Sequence, residues 1–300
     1  YNLLNRSMPS LKRKTRDVDF TSLVSLDTEC TGIDVHHGAC PFLVATSGPD
    51  STDWWEWDVD PTTRYVQVAW GDICNIQELI DSHDIVLQNS KFDAAMLEKV
   101  GITNWPWHRT WDTLLAEHLL ASNRSKDLTS ISLVYLNEDI KPYEDKLRKA
   151  TLEARILASK YDNWRIARKG EPDMPSAKEQ TWKYDSWLPR AVAKHSDFAF
   201  PDGHYWWTVL SDYANVDSVV TRAIFEIQVK LLKQRDLWEI YLERLKLLPI
   251  IFQMEATGIT VSANRLDKLF AEYWAESKRL GAICVNIAKG FGYDLELPKG

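Results

Sequence analysis

From Phe20 onward, short apolar runs alternate with stretches whose apolar residues recur at helical spacing, which is the pattern of an α/β domain. Residues 23–27 and 41–46 are predicted strands, joined by a connection that carries Gly32 and Gly38. Residues 54–59 and 65–70 are predicted as two more, parted by the turn-forming Asp60-Pro61. Strands so close together, with no helix between them, predict an antiparallel start to the sheet. A helix over 73–82, a strand over 84–88 and a helix over 91–100 follow, the last closed by Gly101. Helical patterns return at 112–120, 128–136 and 206–232. Residues 141–195 between them read as a helix, an exposed loop around Gly170 and Pro175, and a second helix.

Beyond residue 232 the pattern is helical alone. Ser262 is a suitable N-cap for a long helix over 263–288, in which Leu266, Tyr273, Leu280 and Ile287 fall seven apart. At ~1.5 Å per residue such a helix is close to ~40 Å long and is expected to pack on a partner helix. The chain is thus predicted in three parts: an arm over 1–19, an α/β domain over 20–232 with a helical insertion at about 141–205, and a helical region over 233–300.

Composition narrows the class. A chain of 300 residues can form about two domains and needs no disulfide or structural metal to build a core. With 45% hydrophobic and 26% charged residues it is neither disordered nor collagen-like. No apolar run approaches the ~18 residues of a membrane span, so no membrane partner is expected. Cys30, Cys40, Cys74 and Cys284 lie far apart without a Cys-x-x-Cys spacing, which points to a reducing, intracellular setting, cytoplasmic in a bacterium or phage. Tyr1 in place of Met, followed by a polar and basic stretch, suggests a fragment of something longer.

The net charge of −7 counts against a nucleic-acid partner, but its distribution does not. Residues 141–195 hold 13 Lys and Arg against 8 Asp and Glu, a local surplus of five positive charges on a remainder carrying −12. Arg165, Arg168 and Lys169 in this segment are candidate phosphate contacts, with Tyr161 and Trp164 available to stack on bases. The competing reading is of solvated helix faces paired with Glu144, Asp145, Glu153 and Asp162. The 14 Trp, several clustered near residues 54–57, 105–107 and 206–207, fit core packing better than base stacking.

Four acids stand at positions where chemistry is built. Asp27 and Glu29, two apart at the end of the first apolar run, project to one side of a strand. Asp93 lies in Asn89-Ser90-Lys91-Phe92-Asp93, where a strand gives way to a helix; taken alone, the segment reads first as capping by Asn89 or Ser90 with a first-turn Asp. Tyr213 and Asp217 are four apart, on one face of a late helix.

Taken in order, Asp-x-Glu, Asn-x-x-Phe-Asp and Tyr-x-x-x-Asp resemble the three motifs of the 3′-5′ exonucleases of ribonuclease H-like fold, in the subgroup that carries a tyrosine. Leu26-Asp27-Thr28-Glu29-Cys30-Thr31-Gly32 is similar to that family's first motif, and the segments at 111–116 and 127–133 resemble its middle helices. Residues 248–261, Leu-Pro-Ile-Ile-Phe-Gln-Met-Glu-Ala-Thr-Gly-Ile-Thr-Val, resemble the junction after the proofreading domain of family A DNA polymerases, where the thumb begins.

The resemblance implies a mixed sheet flanked by helices, followed by an all-helical start of a polymerase thumb. It implies two Mg²⁺ or Mn²⁺ ions held by Asp27, Glu29, Asp93 and Asp217, with Asp27 bridging them. Glu29 and Asp217 would complete the site of the ion that holds the attacking water, Asp93 would serve the second ion through water, and Tyr213 would orient the water or help to deprotonate it. Asn89 and Phe92 would shape the cleft for the nucleic acid. The implied substrate is single-stranded or frayed primer-end DNA, the implied partner a polymerase domain beyond residue 300, and the implied state a monomer. A stand-alone RNA-trimming nuclease similar to ribonuclease D shares the motifs. A nuclease-dead scaffold is disfavoured, because such a domain has no need of mutually repelling acids.

Overall fold

The computed structural model describes residues 17–36, 38–166, 182–195, 197–198, 200–201 and 203–296. Its sheet is built from β1 (Leu23–Cys30), β2 (Pro41–Ser47) and β3 (Thr52–Glu56), which pair antiparallel in chain order as the close spacing predicted. Trp57 ends the third strand earlier than expected. Its ring is buried and its indole N–H donates to Asp72 Oδ2 at 2.8 Å. The chain then makes a separate two-stranded ribbon from β4 (Asp58–Val59) and β5 (Val66–Gln67), and the helix α1 opens at Trp70, cutting short the strand expected to run to that residue (Trp70–Ser82).

A crossover through α1 returns the chain to the sheet as β6 (Asp84–Leu87), parallel to β1. The helix α2 (Ser90–Lys99) leads to a short β7 (Thr110–Asp112), parallel to β6. The strand order is β3-β2-β1-β6-β7. A mixed sheet flanked by helices and followed by a helical segment is the arrangement expected from the sequence. The three-residue β7 was not legible as a strand; its Trp111 is fully buried and stacks among Phe225, Trp238 and Tyr241.

Alternation along β1 sorts its side chains into two layers. Val24 and Leu26 join the core that includes Ile73, Ile76 and Ile80 of α1. Ser25 faces the other way, where its hydroxyl donates to the Ser218 carbonyl at 2.6 Å. Ser218 belongs to α7 (Val209–Gln234), the long helix laid along β1 and β2. Such close approach is possible because α7 presents small buried residues, Ser211, Ala214, Ser218 and Thr221, at helical spacing toward the sheet. Around α7 lie α3 (Thr113–Leu120), α4 (Leu128–Leu136) and α5 (Lys141–Ala158).

The basic insertion is part of the body. Leu147, Ala150, Ala154 and Ala158 of α5, and Leu188 and Val192 of α6 (Leu188–Lys194), are buried in the main core. The loop expected around Gly170 lies outside the described residues.

Two compact units divide at Phe252, inside α9 (Leu248–Thr257). The helix α8 (Trp238–Leu245), expected with the helical region after 232, belongs to the first unit. The Tyr241 hydroxyl accepts from the Asp112 N–H at 3.0 Å and donates to the Asp112 carbonyl at 3.1 Å, tying α8 to the end of β7. The second unit is dominated by α10 (Ala263–Gly290), reached through Gly258 at φ +66°, a left-handed conformation suited to glycine. No α10 side chain is buried, and Leu266, Tyr273, Leu280 and Ile287 are exposed.

Candidate active site

Asp27 and Glu29 extend from β1 on the α7 side, and Asp217 meets them from the helix. The three each present a carboxylate oxygen within 4.8 Å of the others. Asp217 is 8% exposed, while Asp27 and Glu29 keep partial exposure. Three carboxylates so close cannot all ionise freely. Burial pushes Asp27 up to about 6, opposed by the nearby Lys183 ammonium. Glu29 is pushed well above the usual carboxylate range by burial, and further by the charges of Asp27 and Asp217. Asp217 is raised by burial and by Asp27, and a hydrogen bond from the Tyr213 hydroxyl works against this.

Asp93 approaches from the other layer. Thr28, between the two acids in sequence, faces α2, and its hydroxyl donates to Asp93 Oδ1 at 2.7 Å. Asp93 is 3% exposed, and burial followed by the Asp27 charge raises its pKa. Four acids therefore converge at the end of β1, three as a tight group and Asp93 fastened beside them. Tyr213, half-buried one helical turn before Asp217, is held well above the ordinary phenol range by burial and by the charges of Asp217, Glu29 and Asp27. Its hydroxyl stays protonated and acts as a donor.

The donor set suits a hard divalent cation. Carboxylate oxygens are the ligands Mg²⁺ and Mn²⁺ prefer, and positive charge would relieve the repulsion that raises these pKa values. Asp27, Glu29 and Asp217 would hold it, with Asp93 available to a second.

The flanking candidates are placed differently. Asn89 is exposed and left-handed at φ 71°, and its side chain makes no cap. The cap of α2 comes from Asp112, whose Oδ2 accepts from both the Ser90 N–H and hydroxyl at 2.8 Å, while its Oδ1 caps α3 through the Leu115 N–H. Phe92 is half-buried against Cys30, Ala39 and Met96. Arg165 is exposed; Arg168 and Lys169 lie outside the described residues. Trp164 is buried and stacked on Tyr161 at 4.9 Å, and the Tyr161 hydroxyl donates to Asp197, so the faces expected to receive bases are engaged within the protein. Trp57, Trp105 and Trp206 are core residues, as expected, whereas Trp54 is exposed.

Several described cations of the insertion are paired: Lys183 with Glu144 at 3.5 Å, Arg155 with Asp185 at 3.5 Å and Lys146 with Asp212 at 3.4 Å. Sequence reasoning missed Lys183 and Thr28 as members of the site. The position of Thr28 inside Asp-Thr-Glu was an available signal; for Lys183 there was only the local basic surplus.

No protein-family model matches the chain, and no curated protein does. Among solved structures it is similar to Brucella melitensis NrnC with bound Mg²⁺, at 15% identity over 79% of this chain and 87% of that one, with a TM-score of 0.47. It is also similar to a structure described as the apo form of the nuclease, at 15% identity over 80% and 86% of the two chains, with a TM-score of 0.48.

Proposed function

We propose that this chain is a metal-dependent 3′-5′ exonuclease that removes nucleoside 5′-monophosphates from single-stranded or frayed DNA ends, as the proofreading part of a family A DNA polymerase. The observation that carries the reading is the meeting of Asp27, Glu29 and Asp217 within 4.8 Å, with Asp93 and Tyr213 beside them. Two Mg²⁺ or Mn²⁺ ions bound there would supply the positive charge that polarises a phosphodiester and favours ionised water at neutral pH. The protein's part is to hold that charge and to order the reactants. Asp27, Glu29 and Asp217 provide the first set of oxygens, and Thr28 fixes the carboxylate of Asp93. Tyr213, kept protonated, donates to Asp217 and orients the nucleophilic water without taking its proton.

Two features support the polymerase context: the thumb-like junction at 248–261, and the exposed apolar residues seven apart on α10, a face that suits packing within a larger protein. The polymerase domain is the proposed partner and the primer end the proposed substrate. The test is digestion of 3′-labelled and 5′-labelled single strands of DNA and RNA, with Mg²⁺ or with EDTA. Release of 3′-terminal label first, faster from DNA and abolished by EDTA, is the expected result. Preference for RNA would transfer the activity to the RNA-trimming reading, and digestion in EDTA would refute the metal assignment.

A further inference from the structure

Among the described residues, the turn at Lys183 brings the basic insertion to the end of β1. After the described part of the chain resumes at Trp182, Lys183, Tyr184 and Asp185 form a tight helical turn in which Asp185 is fully buried. Arg64, in the turn between β4 and β5, fastens this turn to the body. Its Nη1 donates to Asp185 Oδ1 at 2.8 Å, and its Nη2 donates at 2.8 Å to both the Tyr184 carbonyl and the Thr31 carbonyl. Thr31 is two residues beyond Glu29, so one guanidinium clamps the turn directly to the end of the strand that carries the acids. Arg64 itself is fixed: it sits over the Trp187 ring at 5.5 Å, and its backbone N–H donates to the Asp60 carbonyl at 2.8 Å. A planar fork that meets three residues at once is a task for arginine and not for lysine.

The residue this clamp delivers is Lys183. Among the described residues, it is the cation whose charge lowers the pKa values of Asp27, Glu29 and Asp217 together. Its partner at 3.5 Å, Glu144, is exposed to a similar degree, with side-chain exposures of 35% and 32%. A pair so open to water is weak and readily exchanged. Four carboxylates and two divalent ions sum to no net charge, so an arriving phosphodiester, already anionic, needs a further cation at the rim. We propose that Lys183 contacts substrate in this site: held there by the Arg64–Asp185 pair, its ammonium leaves Glu144 and takes a phosphate oxygen of the bound strand. The inference rests on the nuclease reading above and adds to it the residue that receives the strand; Arg64 and Asp185 are positioning residues.

The experiment uses the whole chain. Anisotropy of a short oligo-dT labelled with fluorescein at its 5′ end is measured against salt with Ca²⁺ in place of Mg²⁺, for wild type, Lys183→Ala, Lys183→Arg, Arg64→Lys and the double variant of Arg64→Lys with Lys183→Ala, alongside Mg²⁺-dependent KM and kcat. Lys183→Ala is expected to weaken binding by about 10- to 100-fold, since a charge-assisted hydrogen bond is lost. It should flatten the slope of log K against log salt by about 0.7, one phosphate contact on a single strand. Lys183→Arg restores both slope and affinity. Arg64→Lys reproduces part of the loss, and combining it with Lys183→Ala adds little, which a general loss of fold stability would not do. If wild type binds and degrades the strand while Lys183→Ala keeps its affinity and slope, the inference falls and the nuclease reading stands. If wild type neither binds nor degrades it, the nuclease reading itself falls, and the inference with it.

Discussion

Thr28 Oγ1 donates to Asp93 Oδ1 at 2.7 Å, joining a side chain of β1 to one of α2 across the end of the sheet. The bond uses the strand's alternation: Asp27 and Glu29 face α7, and the residue between them is free to hold the fourth acid. Removing it leaves a buried carboxyl without its donor. Thr28→Val is expected to cost about 1–3 kcal/mol of stability and to lower Mg²⁺-dependent turnover by about 10-fold, since a slightly misplaced group is costly in catalysis. Denaturant unfolding and single-turnover rates measure the two effects separately.

Tyr213 donates to Asp217 and lies one turn before it. Tyr213→Phe should lower turnover by about 10- to 100-fold, the low end of acid-base effects, with metal affinity retained. Loss of the donor also raises the Asp217 pKa, so the acid limb of the pH–rate profile is expected to move to higher pH. A drop in metal binding equal to that of Asp217→Ala would show that Tyr213 serves the ions and not the water.

The raised carboxyl pKa values fix the sign of a pH effect on stability. Asp27 moves from its ordinary 3.8 to about 6 on folding, and Glu29, Asp93 and Asp217 shift in the same direction. The native state therefore binds protons more tightly than the unfolded chain, and its advantage is present below the ordinary carboxylate range and lost as pH rises through the folded values. For Asp27 that window runs from 3.8 to about 6. The site's contribution to Tm in EDTA should fall across it, and Mg²⁺ should reverse the loss at about pH 7.5 while doing little at about pH 4, where the ligands are protonated. A Tm that responds to Mg²⁺ equally at both pH values would contradict the assignment of these acids as ligands.

Tyr241 exchanges hydrogen bonds with both backbone groups of Asp112. Tyr241→Phe leaves the buried Asp112 N–H and carbonyl without that partner and should cost about 1–3 kcal/mol. Denaturant unfolding measures it.

The site was more legible than the parts that support it. Asp27 and Glu29 could be placed from strand alternation, and Tyr213 and Asp217 from helical spacing, because both signals are local. Asp93 could be placed only through its resemblance to a motif. The strand order, the brevity of β7 and the allegiance of α8 depend on long-range contacts such as Tyr241 to Asp112, which leave no periodic trace in sequence. The Arg64 clamp was hidden for the same reason: 121 residues separate it from Asp185, and a lone arginine in a turn reads as solvated surface. The packing of the basic insertion was hidden because its charge dominates its composition, whereas Leu147, Ala150 and Ala154 make it part of the core.

The most direct test of the central claim is the initial rate at which the 3′-terminal nucleotide leaves single-stranded DNA at saturating Mg²⁺, compared between wild type and Asp27→Ala. Asp27 lies within the acidic group on β1 and interacts with Glu29, Asp93 and Asp217, so its loss removes the ligand common to the site. A fall on the order of 1,000-fold or more is the result expected of a lost metal ligand. An Asp27→Ala rate equal to that of wild type would show that these acids do not carry the reaction.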